Sequence, residues 1–462
     1  MQTQIDDSAP NRSDTSSNPI LSASIGRNFF SLVIPSLVGL IAFSSAQIVD
    51  GIFIGNYVGT SALAAINLII PFLNITFGIG FMLAIGGSVA AGKYIGENNL
   101  QGASNIFSKV MMVAVIFGMT VLALSFIFEE SIFNGLGATP ELKPLMSDYF
   151  RISIAFFVVN MVTIGLYYFT RTDGNATFAA IALLVLSGSN MVLDYVFIAH
   201  LGWGLKGAAL ATGLAESLAC IMLLAYFLSP YKKMTFKWLQ TDWKEVWKSS
   251  YNGLSEFINE TSASIVAFIL NWLLISHYGE NGVAAITIIN YLLMMGVMII
   301  ISVSEASQIF ISQNFGAKHY VRIKQYFLLS IFACVMISAF CISLLLGYTQ
   351  GMIELFLEDN NSKAAELATA YVAILWPVFL FNGFTIVISA YFTGIHKARQ
   401  SASIALLRSL LLPCGFLGIF YFWVKDMNFL WALPAAEAVT FITAVVLFFI
   451  YRPSQVQISQ AT

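Results

Sequence analysis

Charge is what this sequence has least of: 10% of its 462 residues are Asp, Glu, Lys or Arg, against roughly 25% in soluble domains. With 58% of the residues hydrophobic, a water-soluble fold of this size would lack the polar surface to wet its exterior. Cysteine is scarce as well. Cys220, Cys334, Cys341 and Cys414 stand inside apolar runs without paired or metal-ligand spacing, so they read as small core residues and not as a disulfide framework. His200, His277, His319 and His396 fall near the ends of apolar runs, which leaves no His-rich metal motif and no Ser-His pair within them. Nucleotide-binding loops and nucleophile elbows are missing too. No enzyme, no cofactor and no nucleic-acid partner is therefore expected.

What the sequence has in abundance is long apolar runs. A membrane-crossing helix needs about 20 mostly apolar residues, and twelve windows qualify: 29–53, 62–88, 107–128, 147–169, 178–199, 207–228, 251–276, 283–311, 326–348, 367–391, 402–424 and 428–450. Several are long enough to tilt. Residues 1–28 are polar, hold Asp6, Asp7 and Asp14, and lack the basic-then-apolar pattern of a signal peptide, so they are expected to be a disordered tail. With that tail in the cytoplasm, the Lys and Arg of the connections divide 17 inside to 5 outside. The bias places both termini in the cytoplasm. The longest connection, 229–250, carries five lysines with Trp238, Trp243 and Trp247, a pattern suited to an amphipathic segment on the inner leaflet.

That connection separates two halves that repeat. A shift of 220 pairs Gly59 with Gly279, Ala64-Ala65-Ile66 with Ala284-Ala285-Ile286, and Gly96 with Gly316. A shift of 223 pairs Tyr168-Phe169-Thr170 with Tyr391-Phe392-Thr393, and Ile181-Ala182-Leu183-Leu184 with Ile404-Ala405-Leu406-Leu407. The expected fold is an all-α polytopic membrane protein. Its twelve helices form two six-helix lobes, 29–228 and 251–451, followed by a cytoplasmic tail, 452–462. Six spans per repeat keep both lobes in one orientation, related by a pseudo-two-fold axis along the membrane normal. The cleft between such lobes is a natural path for a solute.

Ionisable groups deep in a span are costly and persist where they pair or line a cavity. Asp50, Asp194, Glu216, Glu256, Glu260, Glu305 and Glu437 lie in or near spans. Few basic residues sit deep enough to neutralise them, which points to mobile cations. Asn190 and Asp194 are one helical turn apart on span 5 and share a face. Asp194 and Thr212 stand equally far from Trp203, so an antiparallel hairpin brings them to similar depth. Asp50 near the outer end of span 1 completes a candidate cation site of oxygen ligands (Asp50, Asn190, Asp194, Thr212), a donor set that suits Na+. Burial and a neighbouring carboxylate disfavour an ionised carboxyl, so the cluster could carry H+ instead. The plain alternative is a structural hydrogen-bond network between helices. Glu256, Glu260, Glu305 and Glu437 mark a second candidate cation or substrate site, with capping and inter-helix bonding as the alternative. Arg408 in span 11 can balance a carboxylate or snorkel inward, and snorkelling is the preferred expectation. Pro35 inside span 1 is expected to kink it.

These residues also form a familiar pattern. Asp50-Gly51-Ile52-Phe53-Ile54-Gly55 with Leu63-Ala64-Ala65-Ile66, then Tyr94-Ile95-Gly96-Glu97-Asn98-Asn99, resemble the early landmarks of the MATE (multidrug and toxic compound extrusion) family. Asn190-Met191-Val192-Leu193-Asp194, Gly202-Trp203-Gly204 and Gly207-Ala208-Ala209-Leu210-Ala211-Thr212 resemble its span 5–6 signature. Asn314-Phe315-Gly316-Ala317-Lys318 and Tyr391-Phe392-Thr393-Gly394, with Arg408 following, look like its later landmarks. The resemblance runs from about Ile25 to Tyr451 and is closest to the bacterial DinF-like branch. It implies export of organic cations and amphipathic drugs by H+ or Na+ antiport. It places Asp50, Asn190, Asp194 and Thr212 on the cation site of the first lobe, and Pro35 on the proline that bends span 1. One departure stands out. Many relatives carry an acid on span 7 eight residues beyond a Gly-x-Pro, whereas here Gly253-Leu254-Ser255 leads to Ala263, and Glu260 lies nearly one turn away.

The expected function is cation-coupled efflux from the bacterial inner (plasma) membrane, by a monomer whose partners are small organic cations and membrane lipid. A lipid-linked saccharide flippase of a related plan is the alternative. A flippase should show a basic cleft for pyrophosphate, while the deep charges here are acidic. An intramembrane protease or a receptor is disfavoured by the missing catalytic motifs and by the tandem repeat.

Overall fold

Runs of Leu, Ile, Val, Phe and Ala let each segment close its backbone hydrogen bonds internally, which is the arrangement that lipid demands. The computed structural model describes residues 18–237, 243–354, 363–423, 426–455 and 457. The expected tail up to residue 17, Trp238, Lys425 and most of the stretch after 455 lie outside the described residues. Every regular element among the described residues is helical. Ten helices are long and apolar enough to cross a membrane, and two bent pairs complete a set of twelve. Spans 1 to 6 are Ile25–Val58, Thr60–Gly96, Leu100–Ile127, Lys143–Ala155 with Phe157–Asp173, Ala176–His200 and Gly204–Leu228. Spans 7 to 12 are Leu254–Gly279, Asn281–Gly316, Tyr320–Gly347, Lys363–Leu375 with Val378–Gly394, Ala398–Phe422 and Phe429–Gln455.

Helical structure starts before the expected first span. A short helix, Pro19–Ser22, is capped by the Asn18 side chain, and span 1 begins at Ile25. Asn28 donates to Pro19 O and to the Tyr326 hydroxyl, and Arg322 donates to Ile20 O and Ala23 O. The start of the first lobe is thus tied to span 9 of the second. The helix of span 1 continues through Pro35 to Phe53.

The repeat is visible in the backbone. Spans 1 and 2 part at Gly59 (φ 113°) and spans 7 and 8 at Gly279 (φ 59°), two positions 220 apart. Both lie in the left-handed region that glycine enters without a Cβ clash. Spans 4 and 10 bend by 49° at Phe156 and by 54° around Trp376–Pro377. Pro377 cannot donate a backbone hydrogen bond, which accounts for the second bend. In span 4 the ring of Phe156 fills the space a Gly213 side chain would need, at 2.2 Å from an ideal Cβ.

The lobes meet most tightly on the side that carries the linker. A Cβ on Gly96 would lie 1.9 Å from Gln313 O, and one on Gly316 would lie 2.0 Å from Lys93 O. These reciprocal contacts exchange under the shift of 220 and so straddle the pseudo-two-fold axis. Gly86 and Gly253 make a second close pair, not related by that shift, against Ser249 O and Met82 O at 2.1 Å each. Toward mid-membrane, Asn74 of span 2 donates to Ser264 of span 7 at 2.7 Å. Small residues permit this approach.

The linker is stitched to the first lobe. Buried Asp173 accepts from Lys233 N, Met234 N and the Tyr226 hydroxyl. Phe236 packs on Phe107 at 4.6 Å between centroids, within a cluster that includes Phe169 and Phe227. The helix Lys244–Asn252 buries Val246, Ser249, Ser250 and Asn252, and leaves Trp247, with Trp243 just before it, exposed.

Candidate functional site

Among the described residues, two first-lobe aspartates have no ion-pair partner. Asp194 on span 5 is fully buried, and neither of its carboxyl oxygens has a hydrogen-bond partner. Oδ1 of Asp50 on span 1 is buried without a partner as well, and the two carboxyls are near enough for their charges to interact. Spans 1 and 5 pack side by side, which brings these two residues together. Asn190, one turn before Asp194, donates to the Thr212 hydroxyl at 3.3 Å. All four residues of the expected cation site therefore lie in the first lobe, on spans 1, 5 and 6. A π-helical turn, Tyr195–His200, directly follows Asp194, and another, Ile54–Val58, begins four residues after Asp50. Such turns recur where a helix re-aims side chains at a functional position.

Three further polar residues surround this set; of these Glu216 stood out in the sequence as an acid within a span, while Ser187 and Tyr149 carried no sequence signal of their own. Ser187 shares the face of Asn190 and Asp194, and its hydroxyl is buried without a partner. Tyr149 of span 4 lies within the electrostatic reach of Asp50, Asp194 and Glu216. Glu216 on span 6 accepts from Asn160 Nδ2 of span 4 at 2.5 Å. Unpartnered buried oxygens are rare and call for an explanation. A cation is the species that a set of carboxylate, amide and hydroxyl oxygens can accept. Among the described residues no group of three or more His, Cys, Asp or Glu has a metal-holding arrangement, so a bound Na+ would rely on the neutral oxygens alongside the two aspartates.

The second-lobe carboxylates behave differently. Glu305 of span 8 is not free. It forms a buried ion pair with Arg171 of span 4 at 2.5 Å and accepts from the Tyr168 hydroxyl at 2.7 Å. Arg171 also donates to Ser36 of span 1 at 2.9 Å and lies over the Tyr167 and Tyr168 rings. Sequence reasoning counted Arg171 among the connecting loops. The helix of span 4 runs on to Asp173, four residues past the expected end, and carries the guanidinium into the bundle. Glu437 of span 12 is not free either. Arg408 donates to it at 3.1 Å, and Asn382 and Thr385 add hydrogen bonds at 3.3 Å each. Arg408 thus turns to a carboxylate instead of snorkelling, because Glu437 faces it inside the lobe.

Glu256 and Glu260 lie along the seam between the lobes. Glu256 accepts from Gln308 at 3.4 Å and from Asn259 at 3.5 Å, and it senses the charges of Glu305 and Glu260. The Glu260 Cβ lies 3.3 Å from where a Gly78 side chain would begin. The structure brings Glu256, Glu260 and Glu305 to one seam and holds Glu437 inside its own lobe.

Comparison with known proteins agrees with this architecture. The MatE family model matches twice, at residues 35–196 and 257–415, once in each lobe. The chain is 27% identical to the FAD transporter of Shewanella oneidensis, over 90% of this chain and 92% of that protein. It is 23% identical to the multidrug export protein MepA of Staphylococcus aureus, over 91% of this chain and 92% of that one. A MATE crystal structure in the bent conformation superposes with a TM-score of 0.87 at 24% identity, covering 96% of this chain and 98% of that one. An outward-facing multidrug resistance MATE family transporter superposes with a TM-score of 0.87 at 25% identity, covering 95% of this chain and 98% of that one. With one family match in each of two lobes that are joined by an apolar, twelve-span frame, this chain belongs to the MatE family of transporters.

Proposed function

We propose that this protein is a secondary active exporter of cationic or amphipathic organic compounds, driven by exchange for H+ or Na+. The observation that carries the reading is the contrast between the lobes. Asp50 and Asp194 keep buried oxygens without partners, while Glu305 and Glu437 each hold an arginine. An unpaired carboxylate in a lipid-facing bundle calls for a compensating cation. If that cation favours one arrangement of the lobes and the organic solute favours the other, their differential affinities couple the two fluxes. On this reading Pro35 softens span 1, which carries Asp50, and the linker side with its basic connections faces the cytoplasm.

The kinship to a FAD transporter and the flippase alternative both raise the question of anionic cargo. Arg171 and Arg408, the arginines that meet the deep glutamates, are each engaged by one, so among the described residues the deep groups left without an ion pair include the acidic Asp50 and Asp194. That favours cationic cargo. Inverted vesicles loaded with the wild-type protein should take up a fluorescent organic cation when an inward-directed cargo gradient meets an opposing pH or Na+ gradient, each imposed separately. Asp50→Asn and Asp194→Asn should each abolish the driven component while membrane insertion stays normal. Unchanged driven uptake in both variants would remove the ion-site reading.

A further inference from the structure

A cavity of about 900 Å³ opens on the linker side of the protein, where three parts of the chain converge. Lys93 and Tyr94 of span 2 form its first wall, the linker helix supplies Glu245 and Lys248, the turn between spans 10 and 11 supplies His396 and Lys397, and the start of span 11 supplies Arg399. Four cationic side chains face one carboxylate, and of the four Lys93 is also paired with Glu97 at 3.6 Å. That carboxylate, Glu245, is already engaged by Lys109 at 3.6 Å and by the Tyr94 hydroxyl. Lys248 and Arg399 are exposed and belong to no ion pair among the described residues. His396 sits in the wall with a left-handed backbone (φ 59°), and its Nε2 is buried with no hydrogen-bond partner. Burial and the neighbouring Lys93 charge push His396 down to about 3, so the ring is neutral near pH 7. In its Nε2–H tautomer it offers that N–H to an acceptor oxygen without adding charge.

The cavity has excess positive charge and an unused donor, a combination that suits a phosphate group. Its mouth shows where that phosphate comes from. The linker helix that lines it exposes Trp247 (76%) and Trp243 (49%), and Tyr251 is 41% exposed. Amphipathic aromatics beside lysines mark the headgroup level of a bilayer. Basic pockets between transmembrane helices on the cytoplasmic side bind anionic headgroups by the same physics.

We propose that this cavity binds the phosphate headgroup of an anionic phospholipid. A headgroup seated there touches span 2 of the first lobe, the linker, and the turn between spans 10 and 11 of the second lobe at once. It therefore stabilises the arrangement in which the lobes are closed on the linker side. This function is separate from the cation site and does not depend on the direction or cargo of transport.

The test uses the purified full-length protein in a neutral detergent, titrated with phosphatidylglycerol, phosphatidylcholine or glycerol phosphate, with the thermal midpoint as the readout. Phosphatidylglycerol should raise the midpoint saturably and phosphatidylcholine should not. The variant Lys248→Ala/Arg399→Ala removes two exposed cations from the cavity and should weaken the apparent phosphatidylglycerol affinity roughly 25-fold, taking about fivefold for each cation. The control Arg27→Ala/Lys324→Ala removes the same charge from exposed positions outside the cavity and should leave that affinity within a factor of about two. An equal loss in the control would reduce the effect to general surface attraction and overturn the site. Equal stabilisation by phosphatidylcholine, or by glycerol phosphate at matched concentration, would overturn the lipid assignment.

Discussion

Replacing Glu305 by Gln should open the linker side. In the wild type the Arg171 guanidinium is 1% exposed and the Glu305 carboxylate 10%, and they come from opposite lobes. Removing one partner of such a pair strands the other charge in a low-dielectric interior, at a cost of about 3–5 kcal/mol. The Ser36 hydroxyl would still accept from Arg171, but a neutral oxygen does not replace a carboxylate. The protein can avoid the cost by separating the lobes and letting water reach Arg171. The full penalty corresponds to a shift of roughly a hundredfold or more in the equilibrium between closed and open arrangements. Ser312 is a suitable reporter: it is fully buried, and its Oγ lies 2.4 Å from the position of a Gly92 Cβ, at the crossing of spans 2 and 8. In a background with Cys220, Cys334, Cys341 and Cys414 replaced, a Ser312→Cys thiol should be protected from a water-soluble maleimide. Adding Glu305→Gln should accelerate its labelling by at least about tenfold. Replacing both partners, Arg171→Met with Glu305→Leu, should restore protection, since a buried pair can be exchanged for apolar groups at little cost. The reasoning fails if Glu305→Gln leaves labelling as slow as in the parent, or if the double replacement labels as fast as the single one.

Two other outcomes follow from close contacts. Gly96→Val places a side chain where Gln313 O already lies within 1.9 Å of the Cβ position, so the variant should insert normally, label quickly at Ser312→Cys and lose transport. Thr212→Ala removes one neutral oxygen and the 3.3 Å hydrogen bond from Asn190. It should weaken the apparent affinity for the coupling ion about fivefold, the equivalent of ~1 kcal/mol, with maximal transport rate retained. An unchanged ion affinity would place Thr212 outside the site.

The spans were legible in the sequence because lipid makes apolarity a direct readout of helix position. The repeat was legible because Gly59 and Gly279 must reverse the chain in the same way. The bend of span 4 was not legible: no proline stands at Phe156, and the bend is seen only once Phe156 meets Gly213 on span 6. The Arg171–Glu305 pair was hidden for two reasons. An arginine near the end of an apolar run reads as a loop residue, and its partner is 134 positions away. The grouping of Asn190, Asp194 and Thr212 was accessible because an i, i+4 pair and a short hairpin fix depth by counting. The second-lobe acids offered no such rule, and they were expected to act as one set although Glu437 has its own arginine.

The two lobes share more chemistry than that outcome suggests, and the part they do not share points to the role of each. Asn160 donates to Glu216 in the first lobe, and Asn382 donates to Glu437 in the second. The asparagines are 222 positions apart and the glutamates 221, so one Asn–Glu bond occurs twice under the repeat. Only the second copy has an arginine. Arg408 neutralises Glu437, whereas the corresponding stretch of span 5, Val185-Leu186, is apolar. A resident guanidinium fixes the charge of the second lobe permanently. On the proposed function, its omission leaves Glu216, together with Asp50 and Asp194, to a cation that can leave. If this is the physical basis of the asymmetry, deleting the guanidinium should transfer the dependence. In an Asp50→Asn/Asp194→Asn background, whose thermal midpoint should respond weakly to Na+ or acidification, adding Arg408→Leu should lower the midpoint. It should also make the midpoint rise with the concentration of one of those cations, because Glu437 now needs a mobile partner. A midpoint that falls without gaining any cation dependence would mean that Arg408 serves packing alone, and the division of labour between the lobes would have to rest on something other than charge.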